Sequence, residues 1–319
     1  MEYLAKILTN NDKLFYYKSS VSSHFRVGFQ IMKKSIFIAF IILFNCSLFA
    51  QIKGKTVDDQ NQPIPFVNIQ IENENIGTTS EENGTFIIHE SGRNKNLVFT
   101  AIGYNKKIVK CIENLIVTLQ TSEYQLNEVV IIKRLNTKEK EIGKTDNLTA
   151  SAFDNGPKID AKFFAYLPKY SKTRFIKQVA VQTDSKIDNV SFKIHFYGVD
   201  KNGFPAKELL RKNMIVSVSK GTKKTFFNVL DLNLQMPKNG IFVAFEKLII
   251  DKNKLEKLII DKNNNSQKTQ TTYYPFVLYN YVARDFQFTY VGGKWNKQSK
   301  TDTDQLMIYE PAINLVLSN

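Results

Sequence analysis

Cysteine and histidine are scarce in this sequence, which has two cysteines and three histidines in 319 residues. If the segment ending at Ala50 is removed after export, as considered below, Cys111 is the one cysteine left. A single cysteine forms no internal disulfide, so apolar cores must stabilise the chain. Cys111 lies between Val109 and Ile112 and is interpreted as a small hydrophobic residue in or beside a strand, not as a reactive thiol.

The motifs of several enzyme classes are missing as well. The sequence contains no G-x-S-x-G nucleophile elbow, no H-E-x-x-H zinc motif and no Walker A loop for phosphate. His89 and His195 each sit in an alternating strand pattern, and neither is an identifiable partner for Cys111. Carboxylate pairs of the glycosidase type stay open because spatial separation defines them, but no pair stands out. We therefore predict a protein that is not an enzyme and has no cofactor or metal site.

Acidic residues are fewer than basic ones, and the formal net charge is +14. Residues 1–50 hold six basic and two acidic residues, so their removal leaves a net charge of +10. A basic balance suits nucleic acid, an anionic envelope surface or polyanionic glycans. No helix-turn-helix, zinc-finger or aromatic RNA-binding motif occurs, and the charges are scattered along the chain. Nucleic acid is therefore not expected as a partner.

The apolar run Ile36–Phe44 is too short to span a bilayer, which takes about 20 residues. It follows Met32-Lys33-Lys34 and leads to Phe49-Ala50-Gln51. This order of basic, apolar and small residues predicts a secretory signal over residues 32–50, cleaved after Ala50. Residues 1–31 show no domain pattern, and our hypothesis is that Met32 is the true start. The mature protein is expected in the periplasm, outer membrane or cell surface of a Gram-negative bacterium.

Cys46 offers a second processing route. Leu43-Phe44-Asn45-Cys46 loosely resembles a lipobox, in which the cysteine becomes a lipidated first residue. Asn45 stands where a small residue is expected, and Phe44 is bulky. Cleavage after Ala50 is therefore the preferred interpretation, with Cys46 as the candidate lipidation site.

Strand and turn signals follow in close order over residues 51–121. Val67, Ile69 and Ile71 alternate with polar residues, which predicts a half-buried strand. Asn83-Gly84 predicts a short hairpin between Gly77-Thr78-Thr79 and Phe86-Ile87-Ile88 because both turn residues tolerate positive φ. Gly103 predicts a tight bend after the preceding apolar strand.

The order and spacing of these signals resemble the carboxypeptidase-regulatory-like domain, a transthyretin-like β-sandwich of exported bacterial proteins. The resemblance spans Ile52–Gln120 and rests on the strings I-K-G-K-T-V-D-D-Q-N-Q-P-I-P-F-V-N-I-Q-I, I-G-T-T-S-E-E-N-G-T-F-I-I, L-V-F-T-A-I-G-Y and L-I-V-T-L. It implies a non-catalytic module. A peptidase is not expected, because Glu90 directly follows His89 and the H-x-x-E pair of zinc carboxypeptidases is absent.

A connecting segment is predicted over residues 122–150. Within it, Leu126–Ile132 (L-N-E-V-V-I-I) is similar to the stretch that joins this module to the plug and barrel of TonB-dependent outer-membrane receptors. The residues after Ile132 are too few for a plug and barrel. We interpret the stretch as a strand-like linker, with a TonB-contacting segment as the alternative. Lys133–Asp146 is polar and charged, as expected of an interdomain connection.

Residues 151–319 contain short β-branched and aromatic runs separated by turn residues, with no sustained helical period. This pattern predicts a second antiparallel β-sandwich, jelly-roll-like, so the expected fold is all-β behind a signal-peptide helix. The predicted strands are Phe175–Gln182, Val190–Tyr197, Met214–Val218, Phe226–Leu234, Ile241–Phe245, Tyr274–Asn280 and Leu306–Tyr309.

The string E-K-L-I-I-D-K-N occurs twice, at Glu246–Asn253 and at Glu256–Asn263. The repeat is too short for a solenoid, whose repeats have about 20 residues or more, and it indicates a tandem duplication that lengthened a loop or hairpin. We predict a protruding, exposed loop here. We also predict that deletion of Glu246–Leu255 leaves the fold intact.

Aromatic residues cluster towards the C-terminus, where the one tryptophan lies. Trp295 follows Gly292-Gly293 on a predicted loop, with Tyr290 just before the glycines and Tyr273 and Tyr274 earlier in the chain. An exposed aromatic platform stacks on sugar rings or anchors a partner protein. The simpler interpretation is that these residues pack at the edge of the sandwich.

Together these patterns predict an exported, non-catalytic envelope protein that serves as a protein-binding or scaffold module. An accessory role beside TonB-dependent outer-membrane systems, with outer-membrane association, is one form of this prediction. The alternative is a carbohydrate-binding surface protein that uses the aromatic residues Trp295, Tyr290, Tyr273 and Tyr274. The expected partner is accordingly an envelope protein or a glycan, and the sequence leaves the oligomeric state open.

Overall fold

A computed structural model describes residues 51–89, 95–112, 114–122, 137–144, 149–151, 156–260, 266–284, 286–299 and 307–319. The predicted N-terminal extension and signal (1–50), which include Cys46, and the linker stretch Leu126–Ile132 lie outside these residues. Residues 51–319 form one compact unit. The described chain is almost entirely strand, which confirms the all-β prediction. No helix among the described residues is long and apolar enough to cross a membrane.

Two sheets form a sandwich from the first part of this unit. Sheet A has the strand order β4–β1–β7, and sheet B has the order β3–β2–β5–β6. The pairings are antiparallel except β1–β7, which is parallel. The strands are β1 (Ile52–Val57), β2 (Asn68–Ile71), β3 (Gly77–Thr79), β4 (Thr85–Ile88), β5 (Asn96–Thr100), β6 (Lys107–Lys110) and β7 (Leu115–Thr118).

The core of this N-terminal sandwich follows from the two-residue period of its strands. In β4, Phe86 and Ile88 point inward and are 2% exposed, while Thr85 and Ile87 face solvent. Phe86 meets Phe99 of β5 edge to face, with ring centroids 5.7 Å apart. Each such buried side chain contributes about 1.5–3 kcal/mol relative to an exposed one.

The turn at Asn83-Gly84 forms, but the hairpin predicted around it does not. Gly84 has φ +79°, and its N–H donates to the carbonyl of Glu81 at 2.9 Å. The strand before the turn, β3, pairs with β2 in sheet B, whereas β4 pairs with β1 in sheet A. The turn is therefore a corner between two sheets. Strand β4 buries Phe86 and Ile88 in the core between the two sheets, whereas β3 has no apolar side chain.

A larger sandwich follows, from sheets C and D. Sheet C has the order β13–β12–β16–β10–β20–β21, with β14 also paired to β12. Its strands are β10 (Ile159–Phe164), β12 (Val190–Val199), β13 (Pro205–Glu208), β14 (Met214–Val218), β16 (Ile241–Lys247), β20 (Phe286–Val291) and β21 (Lys294–Ser299).

Sheet D has the order β22–β19–β11–β23–β8, with β15 paired to β11 and β9 to β19. Its strands are β8 (Glu139–Ile142), β9 (Thr149–Ser151), β11 (Phe175–Ser185), β15 (Gly221–Asn228), β19 (Phe276–Ala283), β22 (Met307–Pro311) and β23 (Ile313–Ser318). Strands β17 (Lys254–Ile260) and β18 (Gln267–Tyr273) form a separate two-stranded ribbon. In the part of the chain that the structure describes, short 3₁₀ helices cover Pro168–Tyr170, Leu230–Leu232 and Asp251–Asn253.

Two predicted segments differ from what the structure shows. The Phe226–Leu234 run is not one strand, because β15 ends at Asn228 and a 3₁₀ helix follows. Part of the predicted connection, Glu139–Ile142, is strand β8, which pairs with β23 and buries Ile142 in the core between sheets C and D. The sequence did not predict this strand because three of its four residues are charged and only Ile142 is buried.

The duplicated string was predicted to be an exposed loop, and this is wrong for the first copy. Glu246 is 1% exposed and Leu248 is fully buried. The second copy continues into β17 of the ribbon, where Leu258 is 60% exposed. The described part of the second copy, Glu256–Ile260, is exposed as predicted, but it is a strand and not a loop. The copies differ because the first packs against sheet C and the N-terminal sandwich.

Candidate functional site

Strand β12 places three polar or aromatic side chains on the outer face of sheet C. Its sequence alternates, so Phe192, Ile194 and Phe196 enter the core between sheets C and D. Lys193, His195 and Tyr197 consequently lie on the opposite face. The neighbouring strand β16 adds Glu246, which stands opposite Lys193 in the antiparallel register.

Glu246 is the centre of a buried ion network on this face. Its carboxylate accepts hydrogen bonds from Lys193 Nζ at 3.0 Å and His195 Nε2 at 2.7 Å through Oε2. Its Oε1 accepts from Asn68 Nδ2 at 2.9 Å. Burial by itself would raise the pKa of Glu246, but the Lys193 ammonium and His195 hold that pKa at about 2. Glu246 is therefore ionised at any physiological pH.

His195 is held between two carboxylates. Its Nδ1 lies 2.8 Å from Glu208 Oε2, and its Nε2 bonds to Glu246. Burial would lower the pKa of His195, but the hydrogen bonds to Glu208 and Glu246 outweigh it and raise the pKa above its usual value of 6.5. The protonated ring donates from both nitrogens, which leaves no lone pair for proton abstraction or metal ligation. This geometry suits an anchor of the fold.

Strand β2 of sheet B, in the N-terminal sandwich, covers this network on the outer face of sheet C. Besides Asn68, Gln70 donates from Nε2 to the carbonyl of Pro157 at 2.6 Å and accepts from the N–H of Gly293 at 2.9 Å. Thr79 accepts from the N–H of Ile249 at 3.0 Å. Sheet B is therefore fixed to the larger sandwich by a polar interface, which includes one acceptor, Asn68 Oδ1, that is buried without a partner among the described residues.

The turn between β20 and β21 is part of the same interface. Gly292 and Gly293 have φ values of +63° and +82°, a conformation that glycine adopts without strain. A Cβ on Gly292 would lie 2.8 Å from Asn73 Cα, and one on Gly293 would lie 2.8 Å from a methyl of Val98. The carbonyl of Gly293 accepts from Lys106 Nζ at 2.6 Å. The glycine pair, predicted to be a flexible loop, thus permits close contact with sheet B.

Trp295 and Tyr290 face each other across this hairpin. Their ring centroids are 5.4 Å apart, and Tyr197 meets Trp295 at 5.2 Å, both edge to face. Trp295 is partly buried and packs against the cluster around Phe242 and Phe288 on the outer face of sheet C. Burial raises the pKa of Tyr290 to about 12. The structure therefore brings these two predicted contact residues together in a packed group.

Tyr273 and Tyr274 lie elsewhere. Tyr274 is 4% exposed in the core between sheets C and D, where it meets the ring of Phe276 at 5.2 Å. Tyr273 ends the ribbon strand β18, opposite Lys254. The predicted aromatic residues thus divide between separate surroundings, and Cys46 lies outside the described residues.

A second buried polar group lies between sheets C and D. Asp160 accepts hydrogen bonds from Thr289 Oγ1 at 2.9 Å and from the Tyr279 hydroxyl, and Lys158 Nζ lies 3.4 Å away. Asp160, Tyr279 and Lys158 line a crevice of about 260 Å³, open mouth included, together with Lys247. The carboxylate is fully satisfied by its neighbours, so the group pins the two sheets together. No cluster of ligand-type side chains among the described residues is arranged for a metal ion.

Sheet A presents the opposite side of the N-terminal sandwich. Its outer face carries Ile116, which is 74% exposed, and Ile87, which is 42% exposed. Between them on β1, Lys55 stands opposite Ile116 and Lys53 opposite Ile87. Two exposed isoleucines therefore flank two lysines on the outer face of sheet A. The contacts with the larger sandwich described above are made by sheet B and not by this sheet.

Sequence reasoning missed Glu246, Glu208 and Asn68 as members of one network. The alternation Phe192-Lys193-Ile194-His195-Phe196 was visible and indicates a polar face. Nothing in it shows that another sandwich covers that face. The pairing partners are also far apart in the chain, so only the fold brings them together.

These features define a protein of packed β-sandwiches joined by a buried ion network. More particularly, residues 52–131 match the family model described as the CarboxypepD_reg-like domain. The match confirms the predicted resemblance and extends past the predicted boundary at residue 121. Domains of this family are regulatory and not catalytic. No curated protein matches the sequence significantly.

Two solved structures of infectious bursal disease virus show weak similarity. The alignment with the structure of the Gx strain has 9% identity and a TM-score of 0.23. It covers 80% of the present chain and 59% of the viral chain. The VP2 subviral particle gives 11% identity, a TM-score of 0.23, and coverage of 79% and 56%. The chain thus spans less than two thirds of either viral chain, and these scores are too low to assign a shared fold.

Proposed function

We propose that the protein is an exported, non-catalytic protein-binding module of the bacterial envelope. The observation that carries this proposal is the asymmetry of the N-terminal sandwich. Sheet B is fixed to the larger sandwich through Asn68, Gln70 and Thr79. Sheet A keeps Ile87 and Ile116 exposed. A module held rigidly on one face and open on the other is suited to presenting that open face to a partner.

A non-catalytic role is supported by the network around His195. The histidine, Lys193 and Glu246 are each less than 5% exposed, and every one is bonded to an oppositely charged group. A general base or nucleophile must reach a substrate, and these groups do not. The regulatory character of the matched family supports the same role.

The envelope location is supported by the signal pattern over residues 32–50 and by the basic balance of the remaining chain, which favours anionic surfaces. The resemblance of the N-terminal sandwich to the module of TonB-dependent receptors supports an accessory role beside such systems. In that role the larger sandwich is the support, and sheet A is the contact surface.

Affinity capture from envelope extracts of the source bacterium tests the proposal. Three full-length baits are compared: the wild type, the double variant Ile87→Glu/Ile116→Glu, and the control Leu258→Glu on the ribbon. The control changes a similarly exposed apolar residue, 60% exposed, that belongs to the ribbon and not to sheet A. We expect the same envelope proteins with the wild type and the control and their loss with the double variant. Identical proteins on all three baits would contradict the proposal.

Carbohydrate binding through Trp295 is the alternative outcome. Because the chain has one tryptophan, its fluorescence reports on this residue alone. The edge-to-face packing of Trp295 on Tyr290 and Tyr197 favours a structural role. A saturable fluorescence change with one glycan of a panel would favour the carbohydrate function over the protein-binding one.

A further inference from the structure

The chain has four Asn-Gly pairs, and three of them lie wholly within the described residues. In each of these three, the glycine N–H donates to the carbonyl three residues earlier, and the glycine has a φ between +79° and +88°. Asn155 of the fourth pair lies outside the described residues. Because the three turns share dipeptide, turn position and backbone conformation, differences in their chemistry come from their surroundings. The three pairs are Asn83-Gly84, Asn202-Gly203 and Asn239-Gly240.

An Asn-Gly pair can lose its side-chain amide without an enzyme, because glycine has no Cβ to hinder attack by its own nitrogen. The glycine N–H gives its proton to solvent, and the nitrogen bonds to Cγ of the asparagine. The bond from Cγ to the side-chain nitrogen breaks, and ammonia leaves. Water then opens the cyclic succinimide to aspartate or to isoaspartate, which has one extra carbon in the backbone. The reaction therefore needs a side chain that can turn, room for the ring, and solvent.

Packing restricts this reaction at Asn83. Gly84 is buried, and a Cβ there would lie 2.5 Å from the carbonyl oxygen of Thr56, so its backbone is closely surrounded. The asparagine side chain is held as well. Its Oδ1 accepts from the N–H of Thr85 at 3.0 Å and from the Thr85 hydroxyl at 2.7 Å. Ring closure must break these bonds inside a rigid surrounding, so Asn83 should react slowly.

The turn at Asn239 is restricted in a similar way. Gly240 is buried, and a Cβ there would lie 2.6 Å from the ring of Phe163. The Asn239 side chain donates from Nδ2 to the carbonyl of Val199 at 3.2 Å, which holds the amide that must leave. This turn is the best reference for Asn202, because residues 201–203 and 238–240 both read K-N-G.

The turn at Asn202 lacks both restraints. Asn202 and Gly203 are exposed, and apart from the chain neighbours no heavy atom lies within 4 Å of a Cβ built on Gly203. The Asn202 side chain makes no hydrogen bond to any residue that the structure describes, whereas its backbone N–H is bonded to Asp200. The turn bond from Gly203 N–H to the Asp200 carbonyl is 3.1 Å, against 2.9 Å in the other two turns. Side chain, nitrogen and water can therefore meet here without displacing packed neighbours.

We propose that Asn202 is a site of spontaneous modification, at which the side-chain amide is lost and an isoaspartate linkage forms. The consequence reaches strand β13. Asp200 Oδ1 accepts from the N–H groups of Asn202 and Phe204, both at 2.8 Å, and so fixes the turn that leads into this strand. An extra backbone carbon in residue 202 moves the Phe204 N–H away from that carboxylate. Since β13 carries Glu208, which holds His195, the modification loosens one partner of the buried network.

Peptide mapping by mass spectrometry tests the assignment site by site. The folded full-length protein is incubated at mildly alkaline pH, and each Asn-Gly peptide is followed for the exchange of its amide for a carboxyl group. The same incubation in denaturant gives the rates without packing. In the folded protein we expect Asn202 to react about tenfold or more faster than Asn239. In denaturant the two should react at similar rates, because their local sequences match.

Two matched variants test the effect on β13. Asn202→Gln lengthens the side chain by one carbon, which disfavours ring closure, and Asn239→Gln makes the same change in the other K-N-G turn. Melting curves before incubation show that both variants are folded. After incubation, amide hydrogens of β13 should exchange faster in the wild type and in Asn239→Gln than in Asn202→Gln, because only the last keeps the turn at Asp200 intact.

Equal rates at Asn202 and Asn239 in the folded protein would overturn the proposal. A preference for Asn202 that persists unchanged in denaturant would also count against it, since packing would then not set the rate. If incubated wild type and incubated Asn202→Gln exchange the β13 amides equally fast, the modification does not loosen that strand.

Discussion

The same eight residues, E-K-L-I-I-D-K-N, occupy two environments in this molecule. In the first copy, Glu246 and Leu248 are buried, at 1% and 0% exposed. In the second copy, Leu258 is 60% exposed and the Glu256 side chain is 51% exposed. Local propensities are identical, so the difference comes entirely from the neighbours. The first copy meets β12 and sheet B, whereas the described residues of the second copy pair with β18 in the ribbon.

The backbone differs between the copies as well. Leu248, Ile249 and Ile250 lie after the end of β16 and lead into the 3₁₀ helix Asp251–Asn253. Their counterparts Leu258, Ile259 and Ile260 are in strand β17, paired with β18. Strand propensity is strongly dependent on context. In the first copy, Ile249 bonds to Thr79 of sheet B after strand β16 has ended. In the second copy, the corresponding Ile259 stays in strand β17 because it pairs with β18.

The largest expected difference in the free energy of unfolding is between substitutions of Glu246 and of its counterpart Glu256. Glu246→Gln leaves Lys193 buried without its counter-charge and removes one of the two carboxylates that hold His195. Breaking a buried ion pair costs about 3–5 kcal/mol. Glu256→Gln changes an exposed group and should alter the free energy of unfolding by less than about 0.5 kcal/mol. Urea unfolding of both variants measures the difference. Equal effects would mean that the network around Glu246 does not stabilise the fold.

The leucines give the next contrast. Leu248→Ala removes a fully buried side chain and should cost about 2–5 kcal/mol, the transfer and cavity terms combined. Leu258→Ala, on the exposed ribbon, should cost less than about 0.5 kcal/mol. The midpoints of thermal unfolding for the two variants test this. A comparable loss at Leu258 would indicate that the ribbon packs against something in solution.

The first copy should also make stability dependent on pH. The pKa of Glu246, about 2 when folded against 4.5 ordinarily, gives a stabilisation that is lost as pH falls from about 4.5 towards 2. The raised pKa of His195 gives a stabilisation that is complete below 6.5 and is lost as pH rises through the folded value. Urea midpoints should therefore be highest between pH 4.5 and pH 6.5 and should fall on either side of this interval. Glu246→Gln should make the urea midpoint less dependent on pH, whereas Glu256→Gln should leave that dependence unchanged.

The smallest effect is expected from removing a copy altogether. Deletion of Glu246–Leu255 leaves the same sequence as deletion of Lys254–Asn263, so the remaining copy can take the buried position. The N–H of Tyr274 donates to the carbonyl of Asn253 at 2.9 Å, so the ends of the ribbon are already in contact and a loop can close them. We expect the melting temperature to change by no more than about 4 °C, the equivalent of roughly 1–2 kcal/mol in a domain of this size. A larger drop would show that β17 and β18 stabilise the core.

Much of the fold was predictable where apolar and polar residues alternate clearly along a strand. Val67, Ile69 and Ile71 enter the core of the N-terminal sandwich, and Gly103 makes its turn with φ +90°. The strand is not half-buried as predicted, because the larger sandwich also covers Asn68 and Gln70 on its other side. Predictions were wrong where partner choice mattered. Asn83-Gly84 turns the chain between sheets and not within a hairpin, and the strand Glu139–Ile142 was hidden in a charged stretch. The candidate site was less predictable still, because Asn68, His195 and Glu246 are distant in sequence.

By itself, the sequence determined that this protein is all-β and that residues 52–120 resemble a regulatory module, because strand periodicity and turn chemistry are local properties. Only the tertiary structure decided which of two identical octapeptides is buried, and which sheet of the module is fixed while the other is open. Those outcomes depend on the surface that each segment meets. Glu246 has Lys193 and His195 beside it and Glu256 does not, and no local sequence pattern contains that difference.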